Sequence, residues 1–191
     1  MSPAEVNKSP LVAIVGSARI EQSDIRWQQA SELGAAFADS GYEVMTGGYG
    51  GLMAAVAQGA SAAGGKTIGL PMKNWDYLTP DSSHQELRWS ENYFERLAHL
   101  LSADYLVVLD GGIGTLSEMA LAWAIAQTEV KHAQIIVLGE GIKELLSNFQ
   151  SSLVISQPDM DVLFFYDSHE EIVNHIKSGI GTIQSVKKAH G

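Results

Sequence analysis

The chain has 191 residues, 46% of them hydrophobic, no cysteine, and a formal net charge of -10. The missing thiols exclude disulfides, thiolate metal sites and cysteine nucleophiles. Scattered basic residues on so acidic a chain argue against binding a nucleic-acid backbone.

Residues 1–10 are polar, lack an apolar signal core, and read as a flexible leader. No apolar run approaches the roughly 20 residues a membrane helix needs, so a cytoplasmic protein with no membrane partner is expected. Residues 11–15 form a continuous apolar run that stops at Gly16-Ser17, the mark of a strand buried on both faces. A helix is predicted over 21–40, ending at Gly41. A second strand over 42–46 runs into Gly47-Gly-Tyr-Gly-Gly51, and a small-residue helix over 52–63 follows. Residues 67–70 read as a third strand. Residues 71–90, with Pro71, Pro80 and several serines, break the rhythm and read as a long loop, of a length that in compact domains often serves function.

Regularity resumes with a helix over 91–101 and a strand over 105–109. The turn Asp110-Gly-Gly-Ile-Gly-Thr115 then opens a long apolar helix to about Thr128. Strands over 134–138 and 162–165 enclose a helix over 142–151, and a last helix over 168–178 leads into a polar tail, 179–191. Strands alternating with helices imply an α/β fold: a Rossmann-like, doubly wound parallel sheet of about six or seven strands with helices on both faces. No linker or repeat divides the chain, so residues 11–178 are expected to form one domain.

In such sheets ligands bind beyond the carboxyl ends of the strands. Three of those ends carry unusual residues: Gly16-Ser17, the 47–51 turn and the 110–115 turn. Glycine admits positive φ and close backbone approach, and the helix after each turn aims free N–H groups and its positive dipole end back at it. Together they suit a phosphate. Neither turn is a Walker A loop, since no lysine follows, and neither matches the G-x-G-x-x-G dinucleotide pattern.

The segment Asp110-Gly-Gly-Ile-Gly-Thr-Leu-Ser-Glu118 resembles the P-G-G-x-G-T-x-x-E motif of the LOG family, the cytokinin-activating phosphoribohydrolases and their relatives, once labelled lysine decarboxylases. Thr46-Gly-Gly-Tyr-Gly-Gly-Leu-Met53 resembles that family's G-G-G-x-x-G-L-M turn, and Val15-Gly-Ser17 its first strand end. The match runs from about Leu11 to Leu138 in order and spacing. It implies a Rossmann-like fold, a homodimer or higher homo-oligomer, and hydrolysis of the N-glycosidic bond of a nucleoside 5′-monophosphate. No metal or redox cofactor is implied.

Carried over by the resemblance, Gly111, Gly112, Gly114 and Thr115 would cradle the 5′-phosphate. Gly16, Ser17, Gly47, Gly48, Gly50, Gly51 and Met53 would complete the nucleotide site. Glu118 would meet the ribose and the oxocarbenium character that develops as the base leaves. Arg96, in the fragment Tyr93-Phe-Glu-Arg-Leu97, is the counterpart of the family's arginine. It stands one residue closer to Asp104 than the family pattern, with Glu95 in the strictly aligned place. Asp110 replaces the usual proline and puts a carboxylate beside the phosphate seat, where it would repel the ligand or meet a ribose, a water or a cation.

Other residues have plainer readings. None of Lys8, Lys66, Lys73, Lys131, Lys143, Lys177, Lys187 or Lys188 lies in a glycine turn, which argues against a pyridoxal Schiff base. The histidines show no metal-ligand spacing, and His169 and His175 read as helix surface. Trp75 and Tyr77 are aromatics for stacking on a base or covering the core. Two readings of function therefore stand: a LOG-like phosphoribohydrolase, or a non-catalytic carrier of a nucleotide or phosphorylated cofactor, like the related molybdenum-cofactor carriers. A third, a DNA-processing relative, is opposed by the charge.

Overall fold

A computed structural model of the chain describes residues 9–178; the polar tail and all but Ser9 and Pro10 of the leader lie outside it. The elements follow in the order β1 (Leu11–Val15), α1 (Ile25–Asp39), β2 (Glu43–Thr46), α2 (Leu52–Ala62), β3 (Thr67–Gly69), β4 (Glu86–Leu87) and α3 (Tyr93–Leu101). The second half adds β5 (Tyr105–Leu109), α4 (Ile113–Thr128), β6 (Gln134–Leu138), α5 (Glu140–Ser152), α6 (Gln157–Met160), β7 (Leu163–Phe165) and α7 (His169–Lys177). The strands form one seven-stranded sheet in the order β4-β3-β2-β1-β5-β6-β7, and every pairing is parallel. The order reverses between β1 and β5, which opens the ligand crevice at that point of the carboxyl edge.

The pleat of the central strands explains both layers. Along β1, Leu11, Ala13 and Val15 face one core with Leu100, Met119, Ile142 and Met160 from α3, α4, α5 and α6. Val12 and Ile14 face the other, with Leu33 and Phe37 of α1, Val56 of α2 and Ile172 of α7. Since successive side chains of a strand point to opposite faces, a run apolar at every position must be covered on both. Each fully buried Leu, Ile or Val stabilises the fold by roughly 1.5–3 kcal/mol relative to an exposed one.

Three local expectations change. The first helix starts at Ile25 rather than residue 21, because Asp24 caps it, its carboxylate accepting from the Arg26 N–H at 2.9 Å. The long loop contains a strand after all: β4 pairs with β3 through Ile68↔Glu86 and Gly69↔Leu87. Two residues, one of them charged, carry no periodic signal, and a short charged strand suits a sheet edge. Helix α6 is a single turn set by a capping box between Ser156 and Asp159. Gly41 stops α1 as expected, with φ +83°. No helix among the described residues is long and apolar enough to cross a membrane.

Candidate active site

The end of β1 ties the two glycine turns together. The Ser17 N–H donates to the Asp110 carbonyl at 3.0 Å, and the Leu52 N–H donates to the Ser17 carbonyl at 2.8 Å. Gly51 caps α2 at φ +67°, and a Cβ there would strike the Ser17 carbonyl and Ala18. Gly16 is packed against Leu109 and Leu52. These glycines are needed for close approach between turns.

The two turns are not equivalent. In the first, Gly47, Gly48, Tyr49, Gly51 and Met53 are buried and only Gly50 is exposed. In the second, Gly111 to Gly114 are all exposed, and nothing lies within 4 Å of a Cβ built on Gly112 or Gly114. Gly112 is the N-cap of α4, and no side chain caps that end. The first intrahelical bond runs from the Leu116 N–H to the Gly112 carbonyl at 3.0 Å. A helix leaves its first four N–H groups without intrahelical partners, which here are those of Gly112, Ile113, Gly114 and Thr115. The Thr115 side chain is buried against Gly111. The open amides thus fall one place further along than the glycines alone suggested, on Ile113 and Thr115 as well as Gly112 and Gly114.

One helical turn deeper, Glu118 meets Arg96. The Arg96 Nη1 donates to Glu118 Oε1 at 2.6 Å, and the two side chains are only 5% and 7% exposed. The guanidinium is held from several sides. Its Nε donates to the Leu70 carbonyl at 2.9 Å, and its Cζ lies 5.7 Å and 6.0 Å from the ring centroids of Trp75 and Tyr93. Its Nη2 lies against Gly47, where any side chain would displace it. Burial pushes the Glu118 carboxyl above the usual carboxylate range, against the charge and hydrogen bond of Arg96, which pull it down. The desolvation cost of a buried charge pair often offsets its attraction, so a pair this enclosed beside an open helix end marks a candidate functional site. Glu95, by contrast, is half-buried and accepts from the Glu91 N–H at 2.7 Å. Arg96 therefore faces the site and Glu95 does not.

Asp110 turns its carboxylate away from the exposed turn. Its Oδ1 accepts from the Ile142 N–H at 3.3 Å and lies against Gly139 and Gly141, at the start of α5. Gly139 has no side chain with which to cap that helix, and Asp110 supplies one from another strand. Its Oδ2 lies 4.0 Å from Arg26 Nη1. The charge that a proline-to-aspartate difference brings is thus engaged by a helix N-terminus and a cation rather than aimed at the Gly111–Thr115 backbone.

Aromatic residues complete the walls. Tyr49 packs 5.7 Å from Trp75, and Trp75 stacks 6.5 Å from Tyr93. The Tyr49 hydroxyl accepts from the Met72 N–H at 2.8 Å, and the Tyr93 hydroxyl shares a 2.7 Å hydrogen bond with Ser117. Tyr49 and Tyr93 sit inside the quoted motifs, yet only the placement of Arg96 shows their use. Tyr77 is 78% exposed and away from this cluster. His175 is half-buried against Phe164 and Tyr166 rather than on an open helix surface.

A cavity of about 540 Å³ lies on the other side of the sheet, bounded by Arg26, Leu33, Asp110, Lys143 and His169. It shares Asp110 with the residues above but neither Arg96 nor Glu118. Its cations are already engaged: Arg26 by Asp24 at 2.7 Å, Lys143 by Glu140 at 3.3 Å and by Asp167. The site with an open helix end and converging polar groups is the one between α3 and α4.

The chain is similar to several known proteins. The family model described as "SLOG cluster4 family" matches residues 9–164. A cytokinin riboside 5′-monophosphate phosphoribohydrolase of Mycobacterium tuberculosis is 31% identical over 147 residues, 73% of this chain and 79% of that protein. The molybdenum cofactor binding protein of the phototrophic bacterium Rippkaea orientalis superposes with a TM-score of 0.70 at 25% identity, covering 91% of this chain and 99% of that one. The molybdenum cofactor carrier protein of Chlamydomonas reinhardtii shares the fold, with a TM-score of 0.66 at 18% identity over 91% of this chain and 99% of the other. With the family model spanning both glycine turns, the Arg96 helix and six of the seven strands in full, the chain belongs to the SLOG cluster4 family and is a relative of the LOG phosphoribohydrolases.

Proposed function

We propose that the protein hydrolyses the N-glycosidic bond of a nucleoside 5′-monophosphate, releasing the free base and ribose 5-phosphate. The observation that carries this is the buried Arg96–Glu118 pair one turn below the uncapped start of α4. A phosphate seated on the amides of Gly112, Ile113, Gly114 and Thr115, with the Thr115 hydroxyl, meets the positive end of the helix dipole. The ribose then lies toward Glu118. There a carboxylate held in place by Arg96 can accept from sugar hydroxyls and face the positive charge that grows at the anomeric carbon. The bond from that carbon to the base nitrogen breaks and water's oxygen takes its place. One proton of the water ends on the base. Trp75, Tyr93 and Tyr49 hold the guanidinium rigid, so the pair is formed before the substrate arrives.

Exposed apolar side chains flank this site: Phe94 on α3 and Ile113 at the first position of α4, each 82% exposed. The reading gives them a second copy of the chain as cover, in a homodimer or higher homo-oligomer. The cysteine-free, acidic composition fits a cytoplasmic setting and a small phosphorylated ligand rather than a nucleic acid.

The alternative, a carrier that binds a phosphorylated cofactor without turnover, is favoured by the likeness to the Rippkaea orientalis protein. A hydrolysis assay on a panel of nucleoside 5′-monophosphates, N6-substituted adenosine forms included, separates the two. The enzyme reading predicts free base and ribose 5-phosphate from the wild type and none from Glu118→Gln. Tight binding with no product across the panel would replace it by the carrier.

A further inference from the structure

The long connection between β3 and α3 is tied to the first glycine turn through a buried histidine that no motif contains. His84 is 8% exposed, and burial lowers its pKa from the ordinary histidine value, which keeps the ring neutral. Its Nδ1 lies 3.0 Å from the Asp81 carbonyl. A carbonyl only accepts, so Nδ1 carries the ring proton and Nε2 is left as an acceptor. Nε2 lies 2.7 Å from Thr46 Oγ1, so the threonine hydroxyl donates to it. The same Oγ1 accepts from the Gly48 N–H at 3.1 Å. The Asp81 N–H in turn donates to the Gly48 carbonyl at 2.9 Å.

These bonds close a ring: Gly48 N–H to Thr46, Thr46 to His84, His84 to the Asp81 carbonyl, and Asp81 N–H back to Gly48. Every donor in it has one acceptor, and only the Nδ1–H tautomer satisfies them all. The ring passes through Gly48, whose φ of +88° holds the turn in a left-handed conformation. Gly69 makes room for it, since a Cβ there would come within 3.0 Å of the imidazole. Next to Gly48, Gly47 carries Arg96 Nη2 on its open face. His84 is thus hydrogen-bonded, through Thr46 and Asp81, to the turn on which the arginine rests.

We propose that His84 is a positioning residue. With Thr46 it locks the Gly47–Gly51 turn to the 71–90 loop, so that the turn, the Trp75 ring and the Arg96 guanidinium are pre-assembled for the nucleotide. This rests on the reading of the Arg96–Glu118 site as a nucleoside-monophosphate site. The ring requires that Thr46 and His84 act as one unit, since removing either breaks the same chain of bonds.

The test uses the full chain with Thr46→Val, His84→Phe, the double variant and His84→Gln, whose amide oxygen can still accept from Thr46. Affinity for adenosine 5′-monophosphate, kcat and KM are measured for each. The imidazole 15N spectrum and the exchange rate of the Gly48 amide report the ring without any ligand. Expected is the Nδ1–H tautomer in the wild type and faster Gly48 exchange in both single variants. Nucleotide affinity should fall about five- to tenfold in each, as for one lost buried hydrogen bond. The double variant should be no weaker than either single one, as for residues in one network, with His84→Gln closer to the wild type than His84→Phe and the loss appearing in KM more than in kcat. An Nε2–H tautomer, additive losses, or folded variants with wild-type affinity would overturn the proposal. Failure of the wild type to bind any nucleoside 5′-monophosphate of the panel would instead overturn the nucleotide reading, and the spectrum and Gly48 exchange would still decide the clamp.

Discussion

Arg96 Nη1 lies 2.6 Å from Glu118 Oε1, bringing together residues 22 apart in the chain from two helices on the same face of the sheet. Helix α3 carries the cation and α4 the carboxylate, and each helix is placed by its own apolar stripe: Leu97 and Leu100 on one, Met119 and Ala122 on the other. The pair is therefore a product of two independent packing solutions that meet above the crevice beside β5. Its surroundings give it one geometry, because the Leu70 carbonyl and two aromatic rings leave the guanidinium no other place.

Breaking this pair should cost more than deleting it. Arg96→Met leaves the Glu118 carboxylate buried and uncompensated, an expected loss of about 3–5 kcal/mol. The double variant Arg96→Met with Glu118→Gln should lose less than the sum of the two single changes, by roughly 0.5–3 kcal/mol. Urea unfolding of the four proteins measures this, and strict additivity would show that the two side chains do not interact.

The pH dependence follows from the raised pKa of Glu118. A group whose folded pKa lies above its unfolded value contributes stability below the unfolded pKa and loses it as the pH rises through the folded one. Glu118→Gln should remove that loss from the stability profile. If the ionised carboxylate serves the reaction, kcat/KM should fall on the acid side at a pH above the usual carboxylate range. Arg96→Met removes the opposing charge and should move that limb to higher pH. A limb that does not move would separate Glu118 from the observed ionisation.

Fold and ligand should respond in opposite directions at Gly112. Its φ of -99° suits any residue and no atom lies near its missing Cβ, so Gly112→Asp supplies a capping carboxylate to α4. Stability should hold or rise by a few tenths of a kcal/mol, while affinity for ribose 5-phosphate falls at least tenfold as the new charge occupies the phosphate seat. Thr115→Val, which keeps the shape and removes the hydroxyl, should weaken binding by about 1.5–3 kcal/mol, the scale of a hydrogen bond to a charged group. Calorimetric titration and thermal melts side by side give both readings.

Asp110→Ala should do the reverse. It removes the carboxylate at the start of α5 and should lower stability by about 1 kcal/mol. Because that carboxylate faces Ile142 and Arg26, affinity for a phosphorylated ligand should not fall. A large loss of affinity would place Asp110 in ligand contact.

The α1–α2 packing offers a test of the fold alone. A Cβ on Gly34 would strike the Val56 carbonyl, and one on Gly59 the Ser31 carbonyl, so each glycine admits the other helix's backbone. Gly34→Ala should lower stability by about 1–3 kcal/mol from overpacking, despite alanine's better helix propensity of about 1 kcal/mol. The melting temperature should drop by several degrees. A rise would mean that the helices separate at little cost.

The alternation of strands and helices, the parallel sheet and the strand ends at which the glycine turns gather are all written in the order of residues along the chain. Those features are local: an apolar run such as Leu11–Val15 must be covered on both faces, and glycine clusters mark where backbones approach closely. The order of the motifs also singled out Arg96 and Glu118 as candidate site residues. Tertiary structure alone decided which way their side chains face, because that depends on the rotation of α3 and α4 against the sheet. It decided as well that the 47–51 turn is buried while the 111–114 turn is open, and that Asp110 serves α5, 32 residues further along. The Thr46–His84 bond, spanning 38 residues, joins a strand end to a loop without any periodic pattern. Periodicity records which side of an element meets the core; it does not record which distant partner a polar side chain finds once the elements have packed.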